Sequence, residues 1–280
     1  MSKITRLVAV GAIAVTTASL TMIGTASAAT STSTIVTPMS PVYDPGNDNV
    51  VGIPGDSAPG FASGSLASDG SGKTFIGLTP QELFGRSVAL ADISSMSYWT
   101  KKATTHEVSA GDWYLNIYTN PFEGDVSSSS WYGERIGTEP YFSAGINDPA
   151  NTWNEWSTGG TSNQLRFFES TEGYFGNYTD PDWATFVDGT GLAGERYAAQ
   201  TVNLITVQTG SGWADGFTGQ VDGLTITLTD GSVATVNFEA WNAATDKAAC
   251  KKDGWMTLER TDGSAFKNQG DCIQYVNTGK

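Results

Sequence analysis

The stretch from Gly210 to Glu239 limits the fold more than any other part of the chain. Leu224, Ile226 and Leu228 alternate with Thr225, Thr227 and Thr229, the two-residue period of a strand with one buried face. Beyond Asp230-Gly231, Ala234, Val236 and Phe238 alternate with Thr235 and Asn237 in the same way. A two-residue Asp-Gly loop would pair Leu228 with Val233 and put the two apolar rows on opposite faces, which a one-sided core forbids. A loop over Thr229, Asp230 and Gly231, with Gly231 left-handed, instead pairs Leu228 with Ser232, Ile226 with Ala234 and Leu224 with Val236. Both rows then face one core.

Further strand-like runs extend over Val88 to Trp99, Trp113 to Tyr118, Glu134 to Phe142, Leu165 to Phe168 and Thr201 to Gln208, separated by Gly, Asn, Asp and Ser clusters. Many short strands with turns between them predict an all-β antiparallel sandwich. One short helix is expected, with Asp180 as N-cap, Pro181 in the first turn, and Trp183, Phe186 and Val187 at helical spacing. At the N-terminus, Lys3 and Arg6 precede an apolar run that ends in Ala26-Ser27-Ala28, the pattern of a secretory leader over residues 1–28. Residues 29–41 then read as a linker, 42–239 as the sandwich, 240–249 as a second linker and 250–280 as a small C-terminal module. The expected location is extracellular, with no membrane insertion.

The net charge of −14 decides between classes of partner. An acidic surface repels nucleic-acid phosphates and anionic lipid, and leaves neutral polymers, cations and metal ions. Asp44, Asn47, Asp48 and Asp56 stand among glycines and prolines, where carboxylate and amide oxygens on a turning backbone suit calcium; the same residues also serve ordinary turns.

Several segments carry a resemblance. WYLNIYTN, EPYFSAGINDPANTWNEWST, QLRFFES, GSGWADGFTGQVDGLTI and a closing NFE resemble a group of secreted actinobacterial proteins of uncharacterised function, over about residues 42–239. The resemblance implies a jelly-roll sandwich similar to carbohydrate-binding modules and concanavalin-like lectins, and brings no catalytic residues. In such folds a structural calcium joins the start of the chain to the last strand, which nominates Asp222 and Glu239 with Asp44 or Asp48. The segment CKKDGWMTL…FKNQGDCIQYV resembles a small C-terminal module that recurs in secreted actinobacterial proteins. Its Cys250 and Cys272 are the only cysteines, and export favours a disulfide between them over a two-cysteine metal site. Such a bridge would stabilise the module by about 3 kcal/mol.

Catalytic constellations are scarce. His106 is the single histidine, and the chain has no G-x-S-x-G elbow, no H-E-x-x-H and no phosphate-binding glycine loop. A carboxylate pair could hydrolyse a glycoside, with Glu134 and Glu139 joined by Glu155 or Glu169 as candidates, but the E-x-D-x-x-E pattern of sandwich glucanases is absent. Aromatic residues argue for binding instead, because flat rings stack on the C–H faces of sugars. Tyr118, on one face of the strand Trp113 to Tyr118, and Trp131, Tyr132, Trp153 and Trp156, set near polar or loop residues, are the candidate ligand platforms. The expectation is a lectin-like protein that binds a polysaccharide or cell-surface glycan without catalysis. A glycoside hydrolase and an adhesion or matrix protein are the alternatives.

Overall fold

The structure is a computed structural model and describes residues 29–38, 40, 49–61, 64–120, 134–170, 176–189, 196–210, 216–241, 244, 246–256, 258–260 and 264–280. The leader 1–28 lies outside them. Among the described residues, two sheets, three α-helices and four 3-10 turns make up the regular structure. The seven-stranded sheet holds β1 (Ser31–Val36), β2 (Val50–Pro54), β3 (Gly64–Ser68), β5 (Ile93–Lys101), β8 (Asn154–Ser157), β11 (Gln220–Leu228) and β12 (Val233–Phe238). The five-stranded sheet runs β4 (Phe75–Leu78), β10 (Thr201–Gln208), β6 (Tyr114–Asn120), β7 (Glu134–Thr138), β9 (Phe168–Glu169).

The hairpin has the register its apolar rows demand. Leu224 pairs with Val236 and Ile226 with Ala234, Leu228 N–H donates to Ser232 O at 2.8 Å, and Gly231 has φ +85°. β11 is the centre of its sheet. One side pairs with β5, while the other is shared by β3 at Gln220–Val221 and β12 at Leu224–Thr227. Leu224, Ile226, Val236 and Phe238 meet Leu115, Ile117, Ile205 and Val207 of the facing sheet in one core, which makes the fold sandwich-like. Each such side chain contributes roughly 1.5–3 kcal/mol on burial.

Local chemistry sets the element ends. β5 starts at Ile93 rather than Val88, because Asp92 Oδ2 accepts the Ala89 N–H at 2.9 Å and closes a 3-10 turn over Leu90–Asp92. β7 stops at Thr138 rather than Phe142; Pro140, which has no N–H to give a ladder, opens another 3-10 turn. The short helix α1 (Pro80–Phe84) begins with a reciprocal capping box between Thr79 and Glu82 and ends at Gly85, φ +69°. Helix α2 (Trp183–Asp188) is capped by Asp182, whose Oδ1 accepts the Thr185 N–H at 2.9 Å, and not by Asp180. Asp180 instead closes the preceding turn by accepting the Asn177 N–H at 2.6 Å. α2 covers the start of β5, with Trp183 Nε1 donating to Ile93 O at 2.8 Å.

Two expectations are corrected. Residues 29–41 are not simply a linker, since they supply β1. That strand pairs with β12 in parallel, so the sheet is not wholly antiparallel. Within residues 240–249, Ala240 and Ala244 are buried. The C-terminal module is closed by the Cys250–Cys272 disulfide, S–S 2.00 Å, which ties the segment before it to helix α3 (Gln269–Thr278). Arg260 bonds Asp271 at 2.6 Å and lies over the Phe266 ring, and Thr37 Oγ1 donates to Glu259 Oε1 at 3.0 Å, linking module and body. No helix among the described residues is long and apolar enough to cross a membrane.

Candidate functional site

β8 pairs with β5 and, at Ser157, is bridged to Gln164 on its other side, and the period of two sorts the residues of β5 and β8. Tyr98, Thr100, Asn154 and Trp156 point inward and are buried, whereas Ser97, Trp99, Glu155 and Ser157 face outward. Trp99 stands directly across from Glu155. Together with Trp153 and the loop 158–163 they line an open groove of about 540 Å³ on the outer face.

Trp153 is oriented by a charged pair. Its Nε1 donates to Asp56 Oδ1 at 3.0 Å, while Lys101 Nζ binds Asp56 Oδ2 at 2.6 Å and sits 6.0 Å from the indole centroid. Burial works to raise the Asp56 carboxyl, but hydrogen bonds from Lys101, Trp153 and Gln220 outweigh it and hold the group below its ordinary value. The loop wall is fixed by Asn163, a left-handed residue at φ +50°. Its Oδ1 accepts Asn147 N–H at 2.7 Å and its Nδ2 donates to Asn147 O at 3.1 Å. Asn154 Nδ2 is likewise committed to Thr152 O at 2.8 Å. The side chains of Asn147, Thr152, Glu155, Thr161 and Ser162 are the exposed polar groups of the wall.

A buried ionic network holds the back of this wall. Asp148, between the groove residues Asn147 and Pro149, accepts His106 N–H at 2.7 Å and lies 2.7 Å from His106 Nδ1. Lys102 Nζ stands 3.8 Å from Asp148 and 3.6 Å from Asp112, and donates to Ser109 O and Gly111 O. Asp112 accepts from Trp113 N–H at 2.8 Å and from Thr100 Oγ1 at 3.2 Å, and Thr100 Oγ1 in turn accepts Trp156 Nε1–H at 2.8 Å. Complete burial pushes the Asp112 carboxyl up to about 6 against the pull of Lys102. His106, the single histidine of the chain, is a member of this network.

The aromatic candidates separate. Trp153 is half-buried on the groove. Trp156 is fully enclosed, and Tyr118 packs on Phe75 and Leu204 with its hydroxyl 3.3 Å from Gln208 Oε1. A ring covered on both faces offers neither to a ligand, so these two are corrected from platforms to packing. Trp131 and Tyr132 lie outside the described residues. Trp99 is the residue that sequence reading missed. Its signal was its neighbour: on a period-two strand, an inward Tyr98 requires an outward Trp99.

The carboxylates do not converge on the groove. Glu134 and Glu169 are buried on β7 and β9, Glu139 follows β7 with its carboxyl raised by burial, and only Glu155 lines the groove.

The nominated calcium ligands fit poorly. Asp222 takes backbone N–H bonds from Ala58 at 2.9 Å, Gly223 at 2.8 Å and Phe238 at 3.2 Å, which makes it a staple between β11, β12 and the loop 55–61. Burial pushes Asp222 to about 6 and, helped by the nearby Asp222 charge, Glu239 to about 7. Glu239 Oε1 accepts from Asn237 Nδ2 at 2.5 Å, and Oε2 is buried with no hydrogen-bond partner among the described residues. One uncommitted oxygen is far from the roughly six to eight that calcium takes. Asp44 and Asp48 lie outside the described residues, among which no group of three or more His, Cys, Asp or Glu could hold a metal.

No protein-family model matches the chain, and neither a curated protein nor a solved structure matches it.

Proposed function

We propose that the protein is exported through its N-terminal leader and holds a polysaccharide or cell-surface glycan, without cleaving it, in the groove beside β8. The observation that carries this reading is the pair of tryptophans, Trp99 and Trp153, on one open groove whose remaining lining is mostly amide and hydroxyl. Indole faces stack on sugar C–H surfaces, and Asn147, Thr161 and Ser162 offer donors and acceptors for hydroxyl groups. Trp153 is pre-oriented by Asp56, so little side-chain entropy is lost on binding.

The body is proposed to be a jelly roll. Support comes from the strand orders: β3-β11-β5-β8 in one sheet and β4-β10-β6-β7 in the other, with the chain passing between sheets as two interlocked Greek keys require.

The test is co-sedimentation of the mature protein with a panel of insoluble polysaccharides, comparing wild type with Trp99→Ala and Trp153→Ala. Each truncation is expected to weaken binding by about 2 kcal/mol, close to thirtyfold, while cooperative unfolding is retained because both rings lie on the outer face of the sheet and not in the core between the sheets. Wild type bound to no polysaccharide, or binding indifferent to both substitutions, would overturn the proposal.

A further inference from the structure

The charge in the groove narrows the ligand. Glu155 is the one charged residue among those lining it. The cation beside the site, Lys101, is taken by Asp56 at 2.6 Å, and these two cancel. Among the described residues no ion pair or hydrogen bond engages the Glu155 side chain, which is exposed. The groove is therefore negative overall, on a chain whose net charge is −14.

Position adds specificity to sign. Glu155 and Trp99 are directly opposed on adjacent strands and share the outer face, where cross-strand Cβ atoms stand about 5 Å apart. A carboxylate beside an indole face is the arrangement that recognises an ammonium group, through a charge-assisted hydrogen bond on one side and a cation–π contact on the other. Neutral sugars would use the stacking alone, and uronates or sulfated sugars would be repelled. We infer that the groove prefers a polysaccharide of hexosamines bearing free, protonated amines over its N-acetylated or neutral counterparts. This inference rests on the glycan-binding reading above and adds the class of sugar.

The experiment is titration of the mature protein with glucosamine oligomers and with N-acetylglucosamine oligomers of the same length. It is run at matched ionic strength and at a pH where the amines are protonated. Wild type is expected to bind the free-amine series about tenfold more tightly. Glu155→Gln should abolish that ratio while preserving binding to the acetylated series. Asp253→Asn, which removes an exposed charge from the C-terminal module, should leave the ratio intact and so exclude bulk charge as its source. A wild type without preference, a ratio that survives Glu155→Gln, or a ratio lost equally in Asp253→Asn would overturn the inference. In each of those cases, tryptophan-dependent binding of acetylated oligomers would leave the glycan-binding proposal standing. Failure of both oligomer series to bind would remove the two together.

Discussion

Asp112→Asn isolates the cost of a buried charge behind the groove. In the folded protein the Asp112 carboxyl titrates at about 6 rather than its ordinary 3.8, because it is fully buried and Lys102, at 3.6 Å, compensates only in part. A folded pKa above the unfolded one means that the native state binds the extra proton between these two values. Stability therefore falls as pH rises through that window. A shift of about two units corresponds to about 3 kcal/mol, absent below pH ~4 and fully expressed by pH ~7. Asparagine keeps the oxygen that accepts the Trp113 N–H but does not titrate. Its absolute stability includes the lost attraction to Lys102, so the informative quantity is the difference between the two proteins as pH changes. Urea unfolding at a series of pH values from 4 to 7 measures that difference. The variant should gain about 3 kcal/mol on wild type across the range, with unchanged m-values. Asp222 and Glu239 are also raised, and so tilt both curves in the same direction. Parallel curves for the two proteins would refute the reasoning.

Three more expectations concern single contacts. Asp56→Ala, which removes the oxygen that accepts the Trp153 Nε1–H, should change stability by no more than about 1 kcal/mol, since the Lys101 pair is partly exposed, yet weaken glycan binding by about 0.5–1.5 kcal/mol by releasing the Trp153 ring; calorimetric melting and a binding titration would separate the two effects. Gly223→Ala should destabilise by about 2 kcal/mol or more in urea unfolding: φ is +63° there, and an added Cβ would meet the Phe61 ring at 2.3 Å. Replacing Cys250 and Cys272 together by Ser should cost the module about 3 kcal/mol, seen as faster tryptic cleavage after Lys251 and Lys252 under non-reducing conditions.

What could be read from sequence was whatever a short window encodes. The alternation in Leu224–Leu228 and Ala234–Phe238 carries its own register, because only one loop length puts both rows on one side; β10 over Thr201–Gln208 and the sole cysteine pair are legible for similarly local reasons. Tertiary structure decided everything that depends on a partner distant in sequence. β1 is polar and unremarkable until the edge of β12 gives its backbone groups somewhere to pair. Trp153 and Trp156 sit in one W-x-x-W segment, yet pairing with β5 turns Trp156 into the core and leaves Trp153 at the groove. Lys102, His106 and Asp112 stand in one stretch of the sequence and Asp148 in another, and they become one largely buried network only when the two stretches are brought together. Periodicity shows that a strand has two faces. Which face is covered, and by what, is set by contacts between residues that the chain keeps far apart.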